Sequence, residues 1–488
     1  MSNLEIDQLN SSFTPVEEIP KIHHDLHKAF SGGVTKKLEW RTHQLKQLSY
    51  LLQENEMAFE EALAHDLGRP KTESHIGELV GVRHQVHNAL SNLKSWLKPQ
   101  NVKTDLTWLI ARPKTYREPK GLVLIIGTWN YPVALTINPL IGAIAGGNAV
   151  MLKLSEQSPA VANLLTVLIP RYLDSKHICV INGTIPQTTT LLGLHFDHIF
   201  FTGSINVGRI IAKAAAETLT PVTLELGGKS PAIVFDDADF AVTGRRLIWA
   251  KVMNAGQTCV APDHLLVSKE SEPKLIESLK QAIRDFYPPA PAPNGRQSSR
   301  IVNASQLERL KGLLRDTSGE VVATGLGKAE EELGFPLTIV RKVTSEDALM
   351  RDEIFGPILP ILTYDSVQDV FPPIARAEPL ALYVFTSDDR NFELVREQTK
   401  SGQLVRNDLL IQFAIPGLPF GGVGKSVFCG LNSHFFCRAT NFYPSSTGFR
   451  ELSWPLLLPH LHLRACFGQP FPLGRCAFQL ALPSLHYR

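Results

Sequence analysis

The sequence predicts an α/β fold built on parallel sheets. One sign is the continuous apolar run at residues 121–126, which is typical of a strand buried on both faces. A second sign follows it, because segments of helical spacing alternate with short apolar segments up to about residue 202. This β-α-β repetition implies a parallel sheet with ligands at the carboxyl ends of its strands.

The elements can be assigned in chain order. From about residue 36 to residue 97 the apolar residues recur at helical spacing, which predicts an opening helical region containing Leu45, Leu48, Leu51 and Leu52. After the first strand we expect a helix over 138–145, a turn at 146–148, a strand over 149–154, a helix over 159–172 and strands over 179–181 and 198–202. Further β/α alternation from Gly227 through Val405 predicts a second domain.

Composition and charge limit the function. The chain has 488 residues, of which 44% are hydrophobic and 20% charged, so two or three domains with separate cores are expected. A net charge of +2 gives no indication of a nucleic-acid partner. The first eight residues lack the basic and apolar regions of a signal peptide, so we expect a cytoplasmic protein that is not secreted. A reducing compartment would keep cysteine as a thiol.

Histidines raise the question of a metal site. The chain has 16 of them, and the dense cluster at 23–27 places His23 and His27 on one helix face. No glutamate completes a zinc-protease motif there. We therefore expect a solvated helix surface and no metal.

Two segments rich in small residues carry a candidate nucleophile and a candidate base. Cys259 follows a polar run, which packing alone does not require, and a thiolate attacks carbonyl carbon well. Glu225 precedes Gly227 and Gly228, a pair that suits a side chain displayed into a cleft. A carboxylate can take up the thiol proton and later activate water. The alternatives are an inert packing cysteine and a solvated loop carboxylate.

A possible phosphate-binding turn occupies residues 202–208. It follows a predicted strand and opens a helix, where backbone amides and the helix dipole could meet a diphosphate. The segment is not a GxGxxG fingerprint, and an ordinary strand-to-helix turn is the alternative.

Five stretches in the same order resemble the aldehyde dehydrogenase superfamily, most closely its class 3, fatty-aldehyde type. The resemblance covers residues from about 30 to 426, in the stretches 126–132 (IGTWNYP), 224–231 (LELGGKSP), 254–262 (NAGQTCVAP), 353–357 (EIFGP) and 418–424 (LPFGGVG). It implies a Rossmann-type cofactor domain, an α/β catalytic domain and a small β oligomerisation arm.

The resemblance also implies the domain boundaries and the assembly. These are an NAD(P)-binding domain of residues 1–100 and 120–226, an oligomerisation arm of residues 101–119, a catalytic domain of residues 227–426 and an atypical tail of residues 427–488. The arm shows alternating character over 108–117, and a homodimer is expected. The proline-rich run at 288–299 is then a surface loop within the catalytic domain.

Site residues follow from the matching positions. Cys259 would attack the aldehyde, the side-chain amide of Asn130 and the backbone N–H of Cys259 would stabilise the oxyanion, and Glu225 would activate water to hydrolyse a thioester. The implied cofactor-binding residues are Lys153, Glu156, Gly203, Ser204, Val207, Gly208, Leu226, Glu353 and Phe355.

The roles within that set differ. Lys153 and Glu156 would address the adenosine ribose, and Glu353 and Phe355 the nicotinamide ribose and ring. A carboxylate near the 2′ position favours NAD, although class 3 relatives can also use NADP. Taken alone, Asn130 reads as a turn asparagine and Glu353 as a surface carboxylate.

The chain departs from the family pattern at its end. From Val427 to Arg488 we find no match, and this stretch holds four of the six cysteines, at 429, 437, 466 and 476. A frameshifted or intron-derived tail is one hypothesis. It predicts an open sheet edge, with weak dimerisation or aggregation. Residues 452–473 are apolar but broken by prolines, which makes a poor membrane span, so membrane association stays open.

Smaller departures are Leu154, where the family prefers proline, and Arg406, where an unpaired charge in a strand would be costly. The resemblance as a whole predicts an enzyme that uses NAD or NADP to oxidise medium- or long-chain aliphatic or aromatic aldehydes to acids, through a cysteine thiohemiacetal and thioester. An apocarotenal-oxidising dehydrogenase and an inactive protein that retains the fold are the alternatives.

Overall fold

A computed structural model describes residues 13–103, 105, 111–286, 298–325, 332–415, 418, 420–428 and 437–438. The helices are α1 Ile19–Ser31, α2 Leu38–Glu54, α3 Glu56–Leu67, α4 Lys71–Ser74, α5 Gly81–Trp96, α6 Ala134–Gly146, α7 Pro159–Tyr172, α8 Ile185–Leu192, α9 Ile205–Glu217, α10 Phe240–Val252, α11 Glu272–Phe286, α12 Ala304–Asp316, α13 Ala348–Arg351, α14 Phe371–Ala377 and α15 Asp389–Gln398. A π-helical turn, His75–Val80, joins α4 to α5.

The strands are β1 Gln100–Asn101, β2 Lys114–Thr115, β3 Glu118–Pro119, β4 Leu122–Ile126, β5 Ala149–Lys153, β6 Ile178–Ile181, β7 His198–Gly203, β8 Val222–Leu226, β9 Pro231–Val234, β10 His264–Ser268, β11 Glu320–Gly325, β12 Leu337–Arg341, β13 Ile358–Tyr364, β14 Ala381–Phe385, β15 Gln403–Arg406, β16 Val427–Phe428 and β17 Cys437–Arg438. The predicted α/β class is confirmed, and the predicted elements up to β7 are present with ends shifted by a few residues.

The opening helices form one wall of a core. Leu45, Leu48, Leu51 and Leu52 of α2 are fully buried, as their helical spacing predicts. They join residues of α3, α5, α6 and α7 in one apolar cluster against the first sheet. The helical region therefore supports the sheet that follows it in the sequence.

The first sheet has the order β16-β8-β7-β4-β5-β6. Its strands are parallel except β16, which pairs antiparallel with β8. The strand order reverses between β4 and β7. From β4 the sheet continues to β5 and β6 in one direction, and to β7 and β8 in the other. In open sheets of this kind a ligand binds at that switch point, beyond the carboxyl ends of the two strands. These ends are Ile126 and Gly203.

A second sheet has the order β11-β12-β13-β10-β9-β14-β15 and is parallel apart from β11. Helices α10 and α11 pack against it, and residues from β9, β10, β13 and β14 share their apolar cluster. This sheet uses residues after Gly227, where the sequence predicts a second domain.

Two-residue strands form two further small sheets. β1 and β2 form a two-stranded antiparallel ribbon, and β3 pairs with β17. In the predicted arm, residues 104 and 106–110, which include Trp108, lie outside the described residues, as does most of the proline-rich loop predicted at 288–299. Val427 and Phe428 pair with Glu225 and Leu224 along the edge of β8. The open edge expected across a dimer stays a prediction.

Arg406 corrects one expectation. Its guanidinium pairs with Asp389, its Nε donates to the carbonyl of Thr386 at 3.3 Å, and it lies 5.6 Å from the centre of the Phe392 ring. The charge in this strand is therefore compensated, and the expected cost of an unpaired charge is not incurred.

Candidate active site

The segment that carries Cys259 makes a left-handed turn. It joins α10 to β10, and Asn254, Ala255 and Gly256 have φ values of 52°, 52° and 72°. Such backbone is unfavourable for residues other than glycine. At Gly256 space also requires glycine, because a Cβ there would lie 2.4 Å from the carbonyl oxygen of Gly356. The surroundings must therefore hold this turn in place.

Hydrogen bonds to Asn254 provide that hold. Its backbone N–H donates to Glu73 Oε2 at 3.0 Å, and its side-chain amide donates to the carbonyls of Asn130 at 2.9 Å and Gln257 at 3.0 Å. The Cys259 loop is thus fastened to the segment that carries Asn130.

The Cys259 thiol is protonated at neutral pH. Its pKa is raised to about 12, first because the side chain is removed from water, and then because the nearby Glu353 and Glu225 carboxylates disfavour a thiolate. A thiol becomes an effective nucleophile only when its proton is taken away. The site therefore needs a base close to Cys259.

Glu225 has the features of that base. It lies near the end of β8 with 5% of its surface exposed, and neither carboxylate oxygen has a hydrogen-bond partner among the described residues. Burial raises the pKa of this carboxyl well above its ordinary value. A buried polar group without a partner destabilises the fold and is typical of functional sites. The alternative of a solvated loop carboxylate is wrong.

Asn130 follows β4 and is buried. Its Nδ2 donates to the carbonyl of Gln257 at 3.1 Å, which uses one of its two N–H groups. Its own carbonyl accepts from Arg69 and from Asn254. The amide is therefore fixed next to the Cys259 loop, with a second N–H available for an oxyanion.

The sequence analysis missed a buried ion pair behind this site. Arg69 Nη1 donates to Glu78 Oε1 at 2.7 Å, and the guanidinium lies 4.7 Å from the centre of the Tyr131 ring. The hydroxyls of Tyr131 and Thr258 are 2.9 Å apart. Burial raises the pKa of Glu78 to about 7, and Arg69 opposes that rise. The sequence shows that Arg69 and Glu78 are charged residues within or beside predicted helices. Helical periodicity alone does not show that they are buried.

Lys153 and Glu156 meet at the carboxyl end of β5. Lys153 Nζ lies 3.2 Å from Glu156 Oε2 and donates to the carbonyl of Leu154 at 2.5 Å. Burial lowers the pKa of Lys153, and Glu156 counteracts this. The pair lies one strand away from the switch point, where it could meet the hydroxyls of a ribose.

The predicted phosphate-binding turn opens α9. Ser204 is the N-cap of the helix and accepts a hydrogen bond from Val207 N at 3.4 Å. Gly208 allows close packing of helix on strand, because a Cβ there would lie 2.7 Å from Leu226 Cδ2. Gly203 ends β7 at the switch point. The remaining amides of this helix end are placed where an anion can bind.

Glu353 and Phe355 precede β13 and line the same cavity. Burial raises the pKa of Glu353 to about 8, and the negative charge of Asp263 adds to this, while the N–H of Gly228 donates to Glu353 and opposes it. Phe355 has a φ of 47°, and its ring meets Trp129 edge to face at 5.4 Å. The reading of Glu353 as a surface carboxylate is wrong.

These side chains share one cavity of about 2580 Å³. Its lining includes the three predicted catalytic residues and most of the predicted cofactor-binding residues: Asn130, Glu225, Cys259, Lys153, Glu156, Gly203, Ser204, Val207, Leu226, Glu353 and Phe355. Gly208 is not part of the lining and instead packs behind it. The structure therefore brings a nucleophile, an unpartnered carboxyl and a nucleotide-type helix end to one place.

A group of possible metal ligands lies elsewhere in the described part of the chain. Glu56, Glu60 and His75 offer oxygen and nitrogen atoms within 4.8 Å of one another. His75 and Arg83 already pair with Glu56 at 2.9 and 2.8 Å. His23, on the helix face predicted to carry His23 and His27, has its ring Nε2 within hydrogen-bond distance, 2.7 Å, of the carbonyl oxygen of His195.

The fold and the site fit one class of protein, the nucleotide-dependent oxidoreductases. The aldehyde dehydrogenase family model matches residues 14–440, well over half of the chain. The chain belongs to this family. The match extends past Val427 to residue 440. The expectation that no family match exists from Val427 onward is therefore wrong for residues 427–440.

Family 3 enzymes are among the similar proteins. Aldehyde dehydrogenase family 3 member H1 of Arabidopsis thaliana is 43% identical over 406 residues, which are 82% of this chain and 84% of the relative. The dimeric NADP-preferring aldehyde dehydrogenase of Rattus norvegicus is 41% identical over 400 residues, which are 82% of this chain and 87% of the relative.

Solved structures agree with the fold. A substrate-bound Staphylococcus aureus AldH has a TM-score of 0.82 at 39% identity, covering 89% of this chain and 95% of that one. The Mycobacterium tuberculosis aldehyde dehydrogenase complexed with NAD+ has a TM-score of 0.79 at 25% identity, covering 90% and 92%. The chain is therefore an aldehyde dehydrogenase whose cofactor is NAD or NADP.

Proposed function

We propose that the chain oxidises medium- or long-chain aliphatic or aromatic aldehydes to carboxylic acids. Cys259, Glu225 and Asn130 are the catalytic residues, and NAD or NADP is the oxidant. The observation that carries this proposal is the carboxyl of Glu225, which is buried, has no partner among the described residues and shares a cavity with the thiol of Cys259. A structural carboxyl would be paired, whereas a proton acceptor must keep its oxygens free.

The first step forms a carbon–sulfur bond. Glu225 takes the thiol proton while the sulfur of Cys259 attacks the aldehyde carbon, giving a thiohemiacetal. The N–H of Asn130 that Gln257 does not use, together with the backbone N–H of Cys259, stabilises the negative oxygen.

The remaining steps oxidise and release the product. NAD or NADP, when bound, accepts the hydride that leaves the thiohemiacetal carbon. Lys153, Glu156 and the α9 end would hold its adenosine and diphosphate part, and Glu353 and Phe355 its nicotinamide part. Glu225 first releases the thiol proton to solvent and then removes a proton from the water that attacks the thioester. The carbon–sulfur bond breaks to give the acid, and the proton held by Glu225 returns to the sulfur to restore the thiol.

The experiment measures NADH formation by absorbance with decanal and benzaldehyde. We expect turnover by the unaltered chain and none by Cys259→Ala. Turnover that persists in Cys259→Ala would contradict the proposed nucleophile. A second version, in which a family-like sequence replaces residues 427–488, is measured beside it. Activity in that version alone would show that the catalytic site is sound and that the natural tail prevents its use.

We further propose the domain division into residues 1–100 and 120–226, 101–119, 227–426 and 427–488, with the chain acting as a homodimer. The rat relative is named dimeric, and the ribbon of β1 and β2 is the kind of arm that a dimer could use. Sedimentation analysis at several concentrations would test the dimer, and a single species with the monomer mass would contradict it.

In the ranges that the structure describes, no helix combines the length and apolar character needed to cross a membrane. The apolar stretch at 452–473 lies outside those ranges. The comparisons favour neither an apocarotenal-oxidising enzyme nor an inactive protein that retains the fold.

A further inference from the structure

A second cluster of buried and partly buried charges lies between the turn after Glu225 and the stretch of residues 349–354, called here the Glu353 segment. The cluster contains Lys229, Lys251, Asp263 and Glu353. Each of these groups influences the pKa of at least one other member. The reaction proposed above uses only Glu353, so the pairing of Lys229 with Asp263 beside it needs an explanation.

Lys229 links Asp263 to the Glu353 segment. Its Nζ forms an ion pair with Asp263 Oδ2 and donates to the carbonyls of Leu349 at 2.8 Å and Asp352 at 2.9 Å. The three donors of an ammonium group are thereby matched to three acceptors. Two of the acceptors are backbone atoms of the segment, so the lysine fixes its path rather than a side chain.

Asp263 reaches the same segment with its other oxygen. Its Oδ1 accepts from the N–H of Ile354 at 2.8 Å. Its own backbone N–H donates to the carbonyl of Ser230 at 2.8 Å. Burial opposes its ionisation, yet Lys229 and the other neighbouring groups hold the pKa of Asp263 below its usual range. The carboxylate is therefore charged and joins the start of β10 to the residue after Glu353.

The turn after Glu225 touches Glu353 directly. A Cβ on Gly227 would lie 2.0 Å from Glu353 Oε2, and the N–H of Gly228 donates to the Glu353 carboxyl. Lys229 is the next residue. Gly227 and Gly228 make room for the Glu353 carboxyl, and the next residue, Lys229, binds the backbone of the Glu353 segment.

We infer that Lys229 and Asp263 are positioning residues, a clamp that holds Glu353 and Phe355 where they meet the nicotinamide ribose. This inference rests on the proposed function of that site. The clamp makes the turn next to the base and the cofactor-facing segment a single unit. Its loss should weaken cofactor binding more than it changes the Cys259 thiol.

Lys251 offers a matched control. Its side chain is buried, with 1% of the residue's surface exposed. Its Nζ donates to the carbonyl of Pro262 at 3.0 Å and has no described hydrogen bond to the Glu353 segment. Lys251→Met removes a buried ammonium group without releasing that segment. It therefore separates general destabilisation from loss of the clamp.

The test measures NADH dissociation constants by fluorescence in the full chain, with melting temperature and Cys259 alkylation by iodoacetamide as further readouts. Asp263→Asn keeps an acceptor for Ile354 and loses the ion pair. We expect it to raise the NADH dissociation constant about tenfold, as the loss of a hydrogen bond to a charged group would. Alkylation should stay within about twofold of the unaltered chain.

Two variants of Lys229 complete the design. Lys229→Met should weaken NADH binding at least as much as Asp263→Asn, and Lys229→Arg, which keeps the charge, should restore most of it and fold even where the methionine variant does not. A folded Asp263→Asn that binds NADH normally would overturn the clamp, as would an equal loss of NADH binding in Lys251→Met. Absence of turnover in the unaltered chain would instead refute the proposed function, since binding is measured separately.

Discussion

Removal from water favours the protonated form of both Cys259 and Glu225. Burial is the first cause of the raised pKa of each group. The Glu225 carboxylate also disfavours the Cys259 thiolate, so ionisation of both groups at once is unfavourable. The residue-scale consequence is a site whose reactivity depends on the charge state of Glu225.

The pH dependence of activity should show this. Because Glu225 must be ionised to accept a proton and its pKa is raised, kcat/KM should fall as pH decreases through a value well above the ordinary range of glutamate. In Glu225→Gln the activity should drop by about 10²-fold or more, and what remains should lack this acid limb. An unchanged acid limb in the variant would assign it to another group.

Stability should respond to the same group with the opposite sign. A carboxyl whose pKa is raised in the folded chain binds protons more tightly than in the unfolded chain, so it lowers stability as pH rises above the ordinary glutamate value. Glu225→Gln removes this effect. Its melting temperature should exceed that of the unaltered chain at pH 8, and the excess should shrink towards pH 5. Thermal melts of both proteins at fixed scan rate would check this.

At the scale of elements, strand ends and turns position the chemistry. The left-handed turn at Asn254, Ala255 and Gly256 is formed by neighbours distant in sequence, since the Glu73 bond to Asn254 spans 181 residues. β8 delivers Glu225, and α9 presents its first turn to the cavity. Regular elements and a hydrogen-bonded turn suit a site that must hold several groups in register.

Gly256→Ala tests the turn. The added Cβ would meet the carbonyl of Gly356, and the residue already has positive φ, so we expect a lower melting temperature and a large loss of activity. Gly312→Ala is the matched control, because its Cβ makes only an ordinary contact, at 3.5 Å with Arg315, inside α12. That change should stabilise by about 0.5–1 kcal/mol and leave turnover unaltered. Equal effects of both changes would contradict the role given to the turn.

At the scale of the whole molecule, two parallel sheets contribute to one cavity. The first supplies Asn130, Lys153, Glu156, Glu225 and the α9 end, and the second supplies Cys259 and, beside β13, Glu353 and Phe355. A cofactor bound there would contact residues from both parts of the chain. Binding and folding are therefore linked.

NAD+ should consequently raise the melting temperature of the chain as a whole. At about 100 times its dissociation constant a ligand adds roughly 2.7 kcal/mol to stability. We expect a single transition that moves upward with NAD+ concentration, and a smaller shift in Lys153→Met, which lacks the ammonium group beside Glu156. Differential scanning calorimetry would measure both. A melting temperature that changes with neither NAD+ nor NADP+ would contradict the proposed cofactor site.

Much of the fold could be predicted because its signals are local. Buried parallel strands are continuous apolar runs, and the helices show their period, so β4, β5 and α7 could be placed from a few residues each. The roles of Arg69, Glu78, Lys229 and Asp263 could not, because each depends on a partner that only the folded chain brings close. Asn130 and Glu353 were predicted through motif resemblance, since neither has a local signal.

The pairing of β16 with β8 has a consequence for how such a chain can change over time. Val427 and Phe428 meet the strand of Glu225 through backbone groups, and Leu226 N donates to the carbonyl of Ser426 at 2.9 Å. Every residue except proline has the backbone N–H and C=O groups that such pairing uses, so the pairing of β16 with β8 does not depend on the side chains that follow. Downstream sequence can therefore be exchanged wholesale while the strand that bears the base keeps its lateral support.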